Sequence, residues 1–381
     1  MKAMPVLHIA VIDGASFVLP YDHGLVDGLA ALGHRVSFFA SRSRYNPEFL
    51  DALRTRPGVQ VIDAAVSASV APRWRGVAAY LGLWWTLWRA RAAFDAVNLQ
   101  FSVLWPLELP FLWLLRRRLV FTVHNPVPHG HVGRTHAPTR WIAGLAQRLV
   151  FVSDATRLDF LRRYGAGFAD KSVVLAHGLL PLVPGAEPVP YVDSLAEAPP
   201  DPEALVFWST VKPYKGVELF AELARSAAWR GRGLPLEVWG QWDRGLAPLR
   251  EELRALGVRV EDRYLRAAEL QALMARPVVF VLPYHQATQS GALYTLLAQG
   301  CVFLCSDSGD LGDFLRSEGL PGLLLKDRSV DSVLAALDHL RSHRALTALS
   351  LAAAQRRRAW PQLLLQQAGA AYALGTGQSA P

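Results

Sequence analysis

Thirteen short apolar runs, most of them separated by helix-length stretches, leave few folds open to this chain. The first series occupies residues 7–13, 35–40, 59–64, 96–101, 119–124, 149–153 and 172–177. The second occupies 204–209, 235–240, 258–264, 278–283, 302–306 and 322–325. Unbroken apolar runs suit strands buried on both faces, and the stretches between them supply crossover helices. The pattern predicts an α/β chain with two doubly wound, Rossmann-like domains whose parallel sheets face a cleft. A length of 381 residues agrees, because single cores stop growing at roughly 250–300 residues. Seven prolines lie between Pro181 and Pro202 without sustained periodicity, which marks the interdomain connection. The expected division is a first domain over 1–183, a linker over 184–203 and a second domain over 204–358. A C-terminal helix in 359–381 then packs back toward the first domain and ends in a flexible tail. Ligands of open α/β sheets bind beyond the carboxyl ends of the strands, so the cleft is the expected site.

Charge narrows the choice of partner. The net charge is +8, the isoelectric point about 9.7 and the mean hydropathy +0.17. A basic yet apolar chain suits an anionic membrane face or a phosphorylated lipid better than DNA, and no nucleic-acid-reading motif is present. Cys301 and Cys305 sit in or beside a buried strand pattern and offer neither a disulfide framework nor metal spacing, which points to a reducing cytoplasm. The N-terminal apolar run lacks a cleavage region and reads as the first strand.

The stretch 278–311 carries the strongest chemical signal. A strand ends at Pro283, the Thr288-Gln289-Ser290-Gly291 turn opens a helix over 292–299, and a second strand leads to the loop Asp307-Ser308-Gly309. Free N–H groups at such a helix start can meet a phosphate or a sugar, although an ordinary βα connection has the same layout. Just after the strand at 204–209 comes Ser209-Thr210-Val211-Lys212-Pro213-Tyr214-Lys215-Gly216. Lys212 and Lys215 can clamp a diphosphate as point charges, with Gly216 and the following helix adding backbone donors. Neither a P-loop nor a G-x-G-x-x-G is present, which disfavours an ATPase or an ordinary dehydrogenase.

In the first domain His124 ends a strand and precedes Asn125, His129 and His131. A histidine there suits a general base or a sugar contact, with Asp13 and Asp22 as rival bases. No carboxylate or cysteine completes a zinc set with these histidines, so no metal is expected. His177 and Gly178 mark another strand end, and His136 reads as a surface residue. Residues 73–91 bring Trp74, Trp84, Trp85 and Trp88 together with Arg73, Arg75, Arg89 and Arg91, too few continuous apolar residues to span a bilayer. Tryptophan with arginine favours the membrane interface, so this segment is expected to dock on an anionic surface. The neighbouring patch 109–118 is expected to pack on the sheet.

The segments at 120–130 (VFTVHNPVPHG), 152–165 (VSDATRLDFLRRYG), 176–178 (AHG), 212–220 (KPYKGVELF) and 282–311 resemble, in order and spacing, a GT-B glycosyltransferase of the family 4 type. They are also similar to bacterial exopolysaccharide mannosyltransferases. The resemblance implies hexose transfer from a nucleotide diphosphate sugar, GDP-mannose ahead of a UDP-sugar, with no further cofactor. Donor contacts are implied for Ser209, Thr210, Lys212, Lys215, Gly240, Tyr284, Gln286, Thr288, Gln289, Ser290, Gly291 and Thr295. Acceptor contacts are implied for Asn125, His129 and His177. The acceptor would be a polyprenyl-diphosphate-linked sugar on the inner face of a bacterial cytoplasmic membrane, during surface polysaccharide synthesis. One departure matters: where family 4 carries two glutamates eight positions apart, this chain has Ala287 and Thr295. Sugar recognition is then expected from Gln286, Thr288 or Gln289, and a retaining or inverting outcome stays open. A catalytically inactive nucleotide-sugar-binding protein and a GT-B-type epimerase remain alternatives.

Overall fold

The computed structural model describes residues 5–41, 46–63, 73–128, 134–191, 202–287 and 290–374, with the side chains of residues 73 and 74 left out. The chain forms two compact units, one of residues 1–178 with 358–381 and one of residues 179–357.

The first unit is built on a seven-stranded parallel sheet in the order β3-β2-β1-β4-β5-β6-β7. Its strands are β1 (His8–Asp13), β2 (Arg35–Ala40), β3 (Val59–Asp63), β4 (Ala96–Leu99), β5 (Leu119–Val123), β6 (Arg148–Phe151) and β7 (Ser172–Val174). The central strands β4 and β5 are buried at every position, which is why they read as unbroken apolar runs. Helices α1 (Leu19–Ala31), α2 (Pro47–Arg54), α3 (Arg73–Ala90), α4 (Trp105–Leu115), α5 (Ala137–Leu145) and α6 (Asp154–Tyr164) make the crossovers. The Ser153 hydroxyl accepts from Thr156 N at 3.1 Å and so caps α6, giving the VSDAT segment a local structural reason.

The second unit repeats the plan with six parallel strands in the order β10-β9-β8-β11-β12-β13. These are β8 (Leu205–Trp208), β9 (Leu236–Trp239), β10 (Arg259–Glu261), β11 (Val279–Leu282), β12 (Val302–Ser306) and β13 (Leu324–Leu325). They are covered by α7 (Leu219–Arg225), α8 (Ala227–Arg232), α9 (Ala247–Ala255), α10 (Ala267–Met274), α11 (Gly291–Ala298), α12 (Asp310–Ser317), α13 (Val330–Ser342) and α14 (Arg344–Arg357). In each unit the first strand in sequence lies inside the sheet, with later strands added on both sides of it. The strand order therefore reverses between β1 and β4, and again between β8 and β11, and a crevice opens at the carboxyl ends of each pair.

The last helix, α15 (Trp360–Tyr372), returns to the first unit and lies on α1. Small residues make room for it. A Cβ on Gly24 would lie 2.0 Å from Trp360 Nε1, one on Gly28 2.4 Å from Leu364 Cδ1, and one on Gly178 2.5 Å from Trp360 Cε2. Trp360 is 7% exposed in this groove, a burial that contributes about 2–3 kcal/mol.

Two expectations are corrected. The segment expected as a linker over 184–203 is bound to the second unit as far as it is described. Val189 N donates to Ala298 O at 2.9 Å and Tyr191 Oη to Cys301 O at 2.8 Å, with Tyr191 fully buried. Residues 192–201 of that segment lie outside the described ones. The prolines straighten the chain without freeing it, because Tyr191 anchors it in the core. The second correction concerns α3. Trp84 is 0% exposed and stacks on Phe111 in the core of the first unit, so it cannot face a membrane. Trp85, the next residue along the helix, is 51% exposed. On α4, Leu112 and Leu115 pack inward, but Trp113 and Leu114 face out, so the 109–118 patch packs on the sheet through only one side.

Candidate functional site

In the first unit the chemistry gathers beyond the carboxyl ends of β1, β4 and β5. A chain of hydrogen bonds fixes the state of His124. Asn98 Nδ2 donates to Thr122 Oγ1 at 2.8 Å, leaving Oδ1 of the same amide as acceptor. That oxygen receives Gln100 Nε2 at 2.5 Å and Tyr372 Oη at 3.2 Å. Gln100 then presents its own Oε1 to His124 Nε2 at 2.8 Å. His124 therefore carries its proton on Nε2, and Nδ1 is a bare acceptor, buried and without a partner. Burial, and then the neighbouring His177, pull the His124 pKa down to about 3, so the ring is neutral at physiological pH. Phe101 stacks on this imidazole at 4.5 Å and Tyr21 meets it edge-on at 5.0 Å. Such a histidine orients or accepts a hydroxyl proton but is a weak equilibrium base.

Asp13 and Asp22 are both fully buried. Asp13 accepts from Phe17 N at 2.6 Å, from Val18 N at 3.3 Å and from Ala15 N at 3.3 Å, and so shapes the loop after β1. Burial raises its pKa above the usual carboxylate value. Neither Asp22 oxygen has a donor, and burial together with the Asp13 carboxylate pushes the Asp22 pKa well up. Asp22 accordingly keeps its proton, which spares the buried pair a second negative charge beside Asp13. His177 is buried too, with Nδ1 2.7 Å from Gly178 O, and burial lowers its pKa to about 4. The ring of Tyr21 touches His124, His177 and Trp360, all at 5.0–5.2 Å. Asn125 follows His124 and is half-buried. His129 and His131 lie outside the described residues, and His136 holds Thr139 Oγ1 at 3.0 Å at the start of α5. Among the described residues no cluster of histidine, cysteine and carboxylate side chains is placed to hold a metal.

In the second unit the loops after β8 and β11 meet at the reversal of strand order. Two glycines permit the approach. A Cβ on Gly216, where φ is +69°, would lie 1.9 Å from Pro283 O, and one on Gly240, where φ is +143°, would lie 1.8 Å from Ser209 O. These positions exclude any side chain on both steric and backbone grounds. The result sets Lys215 among Ser209, Tyr214 and Tyr284. Its ammonium donates to Ser209 Oγ and lies over the Tyr284 ring, 5.1 Å from the centroid. Desolvation, and then the charge of Lys212, bring the Lys215 pKa down to about 8. This cation is half-stripped of water and has no acidic partner among the described residues, the setting an anion would complete.

Supporting contacts hold the rim. Ser306 Oγ donates to Tyr284 O at 2.6 Å, and Ala287 N donates to Ser308 Oγ at 3.0 Å. His285 pairs with Glu218, and His285 N donates to Tyr214 O at 2.9 Å. Asp307 is engaged by Arg316 at 2.8 Å, and Gly309 adopts a positive φ just before α12. Ser290 is buried at the start of α11 and Gly291 is its first residue. Thr295, expected at the donor, is buried within the same helix. Thr210 and Gln286 are exposed and Lys212 is half-buried, while Thr288 and Gln289 lie outside the described residues.

The sequence reading missed Gln100, which sets the tautomer of His124, and Tyr21, which packs edge-on against its ring. The signal available was the polar pair Asn98 and Gln100 in an otherwise apolar strand, two residues apart and hence on one face.

Residues 23–179 match the family model described as Glycosyltransferase Family 4. No curated protein matches the sequence. Sucrose-phosphate synthase from Thermosynechococcus elongatus is similar over 94% of this chain and 97% of its own, with a TM-score of 0.67 and 16% identity. Anabaena HepE, solved with UDP and glucose, is similar over 94% and 98%, with a TM-score of 0.62 and 15% identity. The catalytic domain of Arabidopsis thaliana starch synthase IV, bound to ADP and acarbose, is similar over 95% and 100%, with a TM-score of 0.64 and 11% identity. At these identities the likeness is one of fold, and the fold of two doubly wound parallel-sheet domains is GT-B.

Proposed function

We propose that the chain is a glycosyltransferase that moves a hexose from a nucleotide diphosphate sugar to a lipid-linked or oligosaccharide acceptor. The observation that carries this reading is Lys215, a partly desolvated cation at the point where strand order reverses in the second unit. It would take the donor diphosphate, with Lys212 adding charge and the start of α11 adding N–H groups. The reading is supported by the family match of residues 23–179 and by neighbours whose structures hold UDP or ADP. GDP-mannose is favoured by the motif resemblance and a UDP-sugar by the neighbour solved with UDP and glucose, so both belong in the test. Transfer is taken to need no metal, since the lysine pair itself neutralises the diphosphate.

On the first unit, His124 would receive the acceptor hydroxyl at Nδ1, with Asn125 and His177 beside it. Asp13 holds the loop after β1 and Asp22 is buried beside it, so we place them behind the chemistry rather than in it.

The acceptor is proposed to be a polyprenyl-diphosphate-linked sugar at the inner face of a bacterial membrane, in surface polysaccharide synthesis. No helix among the described residues is long and apolar enough to cross a membrane. The support for peripheral docking is instead the exposed apolar residues of α3, α4 and α5: Trp85, Trp113, Leu114 and Trp141. Arg91 lies 4.6 Å over Trp88 and Arg116 lies 4.1 Å over Trp113, the pairing that suits lipid phosphates.

A second reading, an inactive nucleotide-sugar binder, rests on Ala287, which offers only its backbone where a carboxylate is expected. Calorimetric titration with UDP, GDP and their sugar conjugates, followed by transfer to a lipid-linked acceptor, separates the two. Binding lost in Lys215→Ala, together with transfer by the unsubstituted protein, supports the enzyme. Binding without transfer supports the inactive reading, and no binding by any nucleotide sinks both.

A further inference from the structure

A second cluster of cations lies at the opposite end of the first unit's sheet, where β1, β4, β5 and β6 begin. A cavity of about 530 Å³ opens there, closed on one side by Tyr372, the last residue of α15, and the two residues that follow. Arg117, Arg118 and Arg148 line it against the single carboxylate of Asp95. That carboxylate is already occupied, accepting from His8 N at 2.8 Å. Arg118 is built in, its guanidinium donating to Phe94 O at 2.6 Å and to Arg91 O, so it serves as a fixed charge at the rim. Arg117 and Arg148 are different. Neither forms an ion pair among the described residues, and the Nε–H of Arg148 is buried without an acceptor. Strand pairing dictates this placement, because Arg148 opens β6 beside Val120 and cannot retreat from the sheet edge. A buried guanidinium donor without a partner is costly unless something fills the place of its acceptor. The volume falls in the range of small-ligand sites.

We infer that this cavity binds a phosphate-bearing anion, held by the forks of Arg148 and Arg117 with Arg118 as supporting charge. Guanidinium forks match phosphate oxygens two at a time, and the lining carries three positive charges against one negative. The site lies outside the residues assigned to donor or acceptor, so it would act as a separate effector or anchoring site. The phosphate could be free in solution or carried by a lipid headgroup, since α4, with Trp113 and Leu114 exposed, ends two residues before Arg117.

The test uses the full chain carrying Lys215→Ala, so that the proposed donor site does not compete. Inorganic pyrophosphate is titrated by calorimetry, and phosphatidylglycerol and phosphatidylcholine vesicles are used in parallel flotation assays. The expected result is pyrophosphate binding that weakens about tenfold or more in Arg148→Gln and in Arg117→Gln. Arg148→Lys, which keeps the charge but loses the fork, is expected between them. Binding to phosphatidylglycerol vesicles that is lost in the same variants, without pyrophosphate binding, assigns the phosphate to a lipid and also supports the site. Pyrophosphate binding unchanged in both glutamine variants overturns the inference, as does the absence of any arginine-dependent binding in all arms. Should Arg148→Gln fail to fold, the exposed Arg117 carries the test alone.

Discussion

The ammonium of Lys215 sits 5.1 Å from the centre of the Tyr284 ring, although 69 residues separate the two in sequence, because β8 and β11 are neighbours at the reversal of strand order. That environment lowers the Lys215 pKa from 10.5 to about 8, and the shift has two consequences of opposite sign. Nucleotide binding uses the protonated form, so affinity is expected to fall as pH rises from 7 to 9. Folding prefers the neutral form, because the unfolded chain holds the proton up to higher pH. Stability is therefore expected to rise between about pH 8 and 10.5. Lys215→Met should abolish both trends and weaken nucleotide binding by about 2 kcal/mol. Calorimetry and thermal melts across this range check it.

Gly216→Ala is expected to damage the same loop without touching its charge. A methyl group there meets Pro283 O at 1.9 Å on a left-handed backbone. The strain costs about 1–3 kcal/mol, and nucleotide binding should weaken with it. A variant that melts and binds like the original would remove the steric basis of the site.

The two adjacent tryptophans of α3 should separate cleanly. Trp84→Ala opens a cavity in the core and is expected to cost about 3–5 kcal/mol, lowering the melting temperature by roughly 10 °C. Trp85→Ser should leave stability within about 0.5 kcal/mol and reduce recovery on anionic vesicles. Equal effects of the two on melting would contradict the packing described for this helix.

Asp22 makes a prediction at acid and neutral pH. Its folded pKa is raised well above 3.8, so the folded state binds more protons than the unfolded state above that value. Stability must then decline as pH rises from about 4 toward the folded pKa. Asp22→Asn mimics the protonated acid and should melt like the original protein at pH 4 but higher than it at pH 8. A constant difference between the two at all pH values would show that Asp22 is ionised in the fold.

Most of this architecture was legible in the order of residues. The thirteen strands of the described residues stand where short apolar runs predict them. The central ones, β4, β5 and β11, are buried at every position and so have no solvent side to interrupt their pattern, while the edge strands β3 and β10 are partly exposed. The lysine loop and the α11 turn were legible as local motifs, and their meeting follows once the strand order is known. The partition of α3 was not. Successive residues on a helix differ by about 100° in direction, and a dense run of apolar residues gives no phase to tell Trp84 from Trp85. The tautomer of His124 was hidden for another reason. It depends on a relay through Asn98, Gln100 and Tyr372, the last of them 248 residues downstream, and no local pattern reports such a chain.

The return of α15 also bears on how the chain is made. Gly24, Gly28 and Gly178 form one wall of a groove whose other wall is Trp360 and Leu364. Residues 179–357 are continuous and can close as soon as they leave the ribosome. The first unit must instead wait, with an apolar trench uncovered, for α15, which is synthesised after the whole of the second unit. The first unit therefore cannot complete this groove before the second has been made, and a nascent chain stalled before Trp360 would leave Gly24, Gly28 and Gly178 uncovered.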